Sequence, residues 1–212
     1  MQIGMGKIVA CPYCGTKIDL MTLISGNTFG AERWSDNKMY APYLAQVSPV
    51  QKCFRCYQYF VQYLQKAEPS DEPSMNLGQM DYPDWREAYE QFTYEGNIPE
   101  EDMVSIRLWV IQAYNSFYYR NEKSKCDPPK EEADFVASII HEFIDTFDWT
   151  SVKNPLLKAE LYREANEMEQ CAATLSAISE TDLNDYEKVI YEGIKTRMEQ
   201  GDSKVFRIRD LD

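Results

Sequence analysis

One histidine, His141, stands in 212 residues. That scarcity excludes a metal site built from imidazoles and leaves any Ser/His/Asp or Cys/His set a single candidate base. His141 falls one residue off the apolar stripe of Ile140, Phe143 and Phe147. It reads as a boundary or surface side chain, with no nucleophile placed near it by the sequence. Long apolar runs are missing too: no stretch approaches the roughly 20 residues that a membrane helix needs. Met1–Ala10 carries Lys7 and two glycines, too broken a run for the apolar segment of a secretory leader. The expected location is the cytoplasm. Glycines number nine, and the segment Ser25–Ala31, which holds two of them, lacks the GxxxxGK[ST] arrangement of a phosphate loop.

Basic residues are the minority, 22 Lys and Arg against 35 Asp and Glu, for a net charge of −13. The imbalance is uneven. Residues 1–66 hold seven basic and three acidic side chains, net +4, and the remainder carries −17. A Zn²⁺ with four thiolates subtracts two further charges from the first segment. Such a chain attracts phosphates weakly at one end and repels nucleic acid at the other.

Cysteine is sparse as well, six residues, but four are paired as Cys11-Pro12-Tyr13-Cys14-Gly15 and Cys53-Phe54-Arg55-Cys56. Two CxxC knuckles in a cytosolic chain point to metal rather than disulfide. Two intervening residues let both sulfurs of a knuckle reach one ion, and four thiolates are the soft tetrahedral set of structural zinc. All four positions are filled by protein, so the expectation is one structural zinc per chain held by Cys11, Cys14, Cys53 and Cys56. The 38 residues between the knuckles form a long insert, tolerable because loop-closure cost grows only logarithmically. A competing reading takes Cys11-Pro12-Tyr13-Cys14 as the dithiol of a thiol redox enzyme. That chemistry needs a helix starting at the first cysteine to lower its pKa. Gly15-Thr16 opposes such a helix, no βαβ pattern follows, and the second knuckle would be left unexplained. Cys126 and Cys171 are isolated. The first falls in a polar loop, and the second, beside Ala172 and Ala173, reads as a small core residue.

The rest of the chain reads as α+β, mostly α. Residues 1–66 lack helical periodicity and are punctuated by turn signals, with Ser35-Asp36-Asn37 placed as a hairpin turn between Thr28–Trp34 and Lys38–Pro42. Residues 67–82, with Pro69, Pro73 and Gly78, read as a linker. Helical periodicity starts at Pro83, where Trp85, Ala88, Tyr89 and Phe92 share one face. Further helices are expected from Pro99 to about Asn121, over Lys130–Phe147, from Asn154-Pro155, over Glu167–Ile178 and over Leu183–Glu199. The tail Val205–Ile208 is expected as a short strand or plug. Six helices with short loops suggest antiparallel hairpins, either an irregular bundle or a tetratricopeptide-like array, although no clean 34-residue period is present. In the second helix Met103, Ile106, Val110, Ala113 and Phe117 are expected to pack as one stripe. Trp109, Tyr114, Tyr118 and Tyr119 then exceed what one stripe needs. Either neighbouring helices cover them, or a partner or second copy of the chain does, with Tyr114 and Tyr118 in the contact. Trp34 and Tyr40 on the hairpin are the other candidate anchors for a partner.

The motifs CPYCG at 11–15, SGNTFGAERWSDNKMYAPYL at 25–44 and KCFRC with YQYFV at 52–61 resemble a family of bacterial proteins of uncharacterised function. Its members join an N-terminal zinc ribbon to a tetratricopeptide-like helical region. The resemblance is specific over residues 11–61 and implies zinc ligation by the four cysteines and a helical interaction domain. It implies no activity. The expected domains are a zinc ribbon at 1–66, a linker at 67–82 and a helical domain at 83–212. The expected function is a non-enzymatic, zinc-binding protein-interaction module. A nucleic-acid-binding zinc ribbon and the thiol redox enzyme are the alternatives. Clustering or scatter of Lys17, Arg33, Lys38, Lys52 and Arg55 separates the first two.

Overall fold

A computed structural model describes residues 1–120, 127–149 and 154–208. Cys126 and the expected helix end at Asn121 lie outside the described residues. Along the chain come β1 (Gln2–Ile3), β2 (Lys7–Ala10), β3 (Lys17–Leu20), β4 (Leu23–Ser25), β5 (Glu32–Trp34), β6 (Met39–Tyr40), β7 (Val50–Lys52), β8 (Tyr59–Val61) and β9 (Ala67–Pro69). There follow α1 (Tyr82–Glu95), α2 (Glu100–Asn115), α3 (Lys130–Thr146), α4 (Pro155–Glu164), α5 (Met168–Ser176), α6 (Asp185–Glu199) and β10 (Arg207–Ile208). The architecture is α+β and mostly α, as the sequence indicates.

The chain divides into two compact units, and neither is a contiguous stretch. Met1–Ala31 joins Tyr40–Asn97, while Glu32–Met39 joins the chain from Ile98 onward. This differs from the boundaries read in the sequence at three places. The segment read as a linker contains β9, which pairs antiparallel with β2 through Val9↔Ala67. Its continuation lies along β3, where Met21 N–H donates to Asn76 O at 2.8 Å and Ser74 Oγ donates to the Asp19 carbonyl. Helix α1 belongs to the first unit rather than to the helical one. The hairpin tip leaves the first unit for the second.

In the first unit, β3, β2 and β9 form one sheet and β7 pairs with β8 in a hairpin. Alternation puts Val9, Ile18, Leu20 and Phe60 inward around Cys11 and Cys53. Helix α1 opens with Asp81, whose side chain accepts from Asp84 N–H, and Pro83 in its first turn. Gly96 closes it in the left-handed conformation. The buried face is Tyr82, Trp85, Ala88, Tyr89 and Phe92.

In the second unit α4 and α5 pack as a hairpin, with Ala159 and Cys171 fully buried beside Leu156, Leu175 and Ile194. These small side chains bring the two backbones close. Ser35-Asp36-Asn37 makes the expected turn, with Asn37 at φ 64°. Strand β10 pairs with β5 through Arg207↔Trp34. Val205, Phe206 and Ile208 are buried, so the tail is a plug ended by a strand. Helix α2 departs from its expected stripe. Met103, Ile106 and Val110 are buried, but Tyr114 takes the next position and Phe117 is exposed. A π-helical turn over Ser116–Arg120 changes the phase there. It brings Arg120 back to the Gln112 carbonyl and onto the Asp36 carboxylate.

Candidate metal centre

Each knuckle is a tight turn between two strands. Strand β2 delivers Cys11, whose carbonyl accepts from Gly15 N–H at 2.8 Å and whose N–H donates to Thr16 O at 2.9 Å. Strand β7 delivers Cys53, whose carbonyl accepts from Tyr57 N–H and whose N–H donates to Gln58 O, both at 2.9 Å. The residue after each second cysteine is left-handed, Gly15 at φ 71° and Tyr57 at φ 61°. The two turns are therefore the same local design written with different residues, and the strand leaving each one is β3 or β8.

The four sulfurs converge. Cys11 Sγ is 3.6 Å from Cys56 Sγ, Cys14 Sγ is 3.6 Å from Cys53 Sγ, and all four lie within 4.8 Å of one another. A disulfide needs a separation of about 2.05 Å. Sulfurs about 2.3 Å from a common tetrahedral ion stand about 3.8 Å apart, close to the spacing seen. The group is able to hold one metal ion, and its donor set fits the one expected from the sequence.

Electrostatics divide the four. Cys11 and Cys53 are buried, Cys56 is half-buried and Cys14 is exposed. Burial pushes the Cys11 thiol up to about 12, although the amides of Tyr13 and Cys14 hydrogen-bond it. The Thr16 side chain and then its backbone amide pull Cys14 down to about 6. Amide donors aimed at sulfur are what a bound thiolate requires, since they spread its charge without displacing it. The thiols must shed their protons to ligate, so metal uptake releases protons here.

Helix α1 clamps both knuckles. Gln91 Oε1 accepts from Tyr59 N–H and its Nε2 donates to Tyr59 O, each at 3.0 Å, as a neighbouring strand would. The same Nε2 donates to Tyr13 Oη at 2.8 Å, and Tyr13 donates to Glu95. Tyr59 donates to Asp84 and Glu87, and Lys52 pairs with Asp84 at 2.6 Å. Burial first, then the neighbouring carboxylates, raises both phenols, Tyr13 to about 12 and Tyr59 further. They remain donors. Gln91 carries no motif in the sequence; Tyr13 was in view there inside the CxxC, and Tyr59 only as part of the YQYFV that follows the second knuckle.

The other candidate residues are not brought to this centre. His141 is exposed and pairs with Glu167 at 3.1 Å. Cys171 is a core residue whose thiol burial pushes up to about 11. Tyr114 is only 6% exposed, with the rings of Tyr118 and Tyr119 centred 5.0 and 5.8 Å away, which withdraws it as a surface anchor. Trp34 is half-buried under the Arg120 guanidinium, while Tyr40 is exposed. The basic side chains scatter. Arg33 and Lys38 fall in the second unit and the other three in the first, where Lys52 pairs with Asp84 and Lys17 lies 3.5 Å from Glu68. With α1 included, the first unit holds six basic and nine acidic side chains, so the +4 read over residues 1–66 becomes −3. Among the described residues no helix is long and apolar enough to cross a membrane. No family model, no curated protein and no solved structure matches the chain.

Proposed function

We propose that the protein is a non-enzymatic, zinc-organised interaction module in which one Zn²⁺ holds the first unit together. The observation that carries this reading is the four-sulfur cluster, with every tetrahedral position supplied by cysteine and no position left for a reacting water. Cys11 sits at a strand end and leads through a turn into β3, so the helix dipole that a redox dithiol needs is missing. The net charge of −3 on the first unit and the carboxylate partners of Lys17 and Lys52 oppose the nucleic-acid reading. Phe54 and Tyr57, each 67% exposed on the second knuckle, support contact with a protein partner. They replace Trp34 and Tyr114 as the residues to test.

Elemental analysis of protein purified under reducing conditions without added metal is expected to give one zinc per chain. Cys53→Ser is expected to lose that zinc and unfold the first unit, because structural zinc contributes about 10 kcal/mol or more. Much of the helical circular dichroism is retained. A folded, reduced, metal-free parent protein would overturn the reading.

A further inference from the structure

The second unit contains a cavity of about 280 Å³ between the end of α2, the first half of α3 and the end of α4. Val136, Ala137 and Ile140 of α3 give it an apolar side. Tyr114 and Tyr119 also line it, their ring centroids 5.8 Å apart and their planes nearly perpendicular at 88°. Glu164 brings a carboxyl to the same space. Among the described residues no Lys or Arg lines the cavity. The other acid of the lining, Asp134, is exposed and paired with Lys130. Lys204, near the Tyr119 ring, is paired with Asp127 at 3.0 Å.

Glu164 is the group left out of balance. Asp36 and Glu160 act on it as neighbouring negative charges, and each of those acids already holds a guanidinium. Arg120 is committed to Asp36, and Arg163 to Glu160 and the Asp202 carbonyl, both ion pairs being buried. Glu164 is left with a neutral partner, Asn115 Nδ2, which donates to its Oε2 at 2.8 Å. Its Oε1 is buried and has no hydrogen-bond partner among the described residues. A buried carboxylate without a counter-ion takes up either a proton or a cation. Burial, then Glu160 and Asp36, holds this carboxyl well above the usual value, so the free protein uses the proton. A ligand cation can take the place of that proton, with the tyrosine rings beside it as a further attraction.

We infer that this cavity binds a small primary ammonium ion whose charged head meets the Glu164 carboxylate and whose short apolar body lies along Val136, Ala137 and Ile140, beside the rings of Tyr114 and Tyr119. Nothing in this inference depends on the zinc reading. The test is calorimetric titration of the full-length protein at neutral pH with benzylamine, benzyl alcohol and benzoate. Benzylamine is expected to saturate a single site, benzyl alcohol to bind about tenfold more weakly or worse, and benzoate to give no saturable heat. Repeating the benzylamine titration in buffers of different ionisation enthalpy is expected to show proton release, because the ammonium displaces the proton of Glu164. Glu164→Gln keeps the shape of the side chain. It is expected to weaken benzylamine about tenfold or more and to abolish the proton release. Ala137→Leu fills the cavity from α3 with the carboxyl untouched, and it is expected to lose the binding too; should either variant fail to fold, the other decides. No saturable binding of benzylamine, equal binding of benzyl alcohol or benzoate, or unchanged affinity in a folded Glu164→Gln or Ala137→Leu overturns the inference. Zinc content, measured in the same samples, reports on the metal reading separately.

Discussion

At the scale of single residues, two side chains are held where their chemistry is uncomfortable. Tyr57 occupies the left-handed position that Gly15 fills in the first knuckle, and its ring is exposed, so nothing packs to compensate. Left-handed backbone costs a residue with a Cβ about 1 kcal/mol. Tyr57→Gly is expected to stabilise the metal-loaded first unit by up to about that amount in denaturant unfolding; a loss of stability would mean the ring is held by something else. Glu164 is the second case. Burial, then the charges of Glu160 and Asp36, raises its carboxyl well above the usual value, against the help of Asn115 and Arg163. The folded chain keeps a proton there that the unfolded chain releases above about pH 4.3. The stability this group contributes is therefore complete below that pH and falls as pH rises toward the folded pKa. Glu164→Gln keeps the shape and abolishes the titration. Its stability relative to the parent chain is expected to improve from about pH 5 to about pH 8 in urea unfolding at fixed ionic strength. A flat difference would show that Glu164 ionises freely in the folded protein.

At the scale of elements, α1 acts as a brace for the metal turns. Gln91→Leu is expected to cost about 1–3 kcal/mol, because it strands the N–H and carbonyl of Tyr59. The expected readout is faster zinc transfer to a chromophoric chelator, and an unchanged rate would remove α1 from the metal centre. This element also marks the limit of what the sequence disclosed. The helix itself was legible from Pro83, the Trp85–Phe92 stripe and Gly96, all local signals. The four ligands were legible because two-residue spacing is itself a geometric constraint. The allegiance of α1 was not, since Gln91 and Tyr59 lie 32 residues apart and a pair of amide hydrogen bonds leaves no periodic trace. The burial of Tyr114 was hidden for another reason. Tyr114 follows Val110 by four residues inside the regular helix, where the count had chosen Ala113 at three; only beyond it, over Ser116–Arg120, does the π-turn change the angular step and leave Phe117 exposed.

At the scale of the whole molecule, the governing feature is that the hairpin tip is inserted between the two knuckles yet belongs to the second unit. A fragment of residues 83–212 lacks β5, the partner of β10, and lacks Asp36, the partner of Arg120. It is expected to be aggregated or molten, with poor dispersion in its NMR spectrum. Residues 1–97 are expected to bind one zinc equivalent. A well-folded 83–212 would show that the tip is dispensable to the second unit. The same threading has a consequence for the order in which a nascent chain matures on the ribosome. Everything the metal-binding unit needs has emerged once residue 97 is out, so zinc can be captured early. The hairpin tip has emerged too, with β5 unpaired on the β10 side and Asp36 without its guanidinium. It must wait until Arg120, and finally Arg207 and Ile208, leave the exit tunnel. Synthesis thus leaves a strand-edged tongue of no net charge exposed for more than half the length of the chain, and early capture of the ion by the two knuckles that flank it in sequence restricts where that tongue can search while it waits.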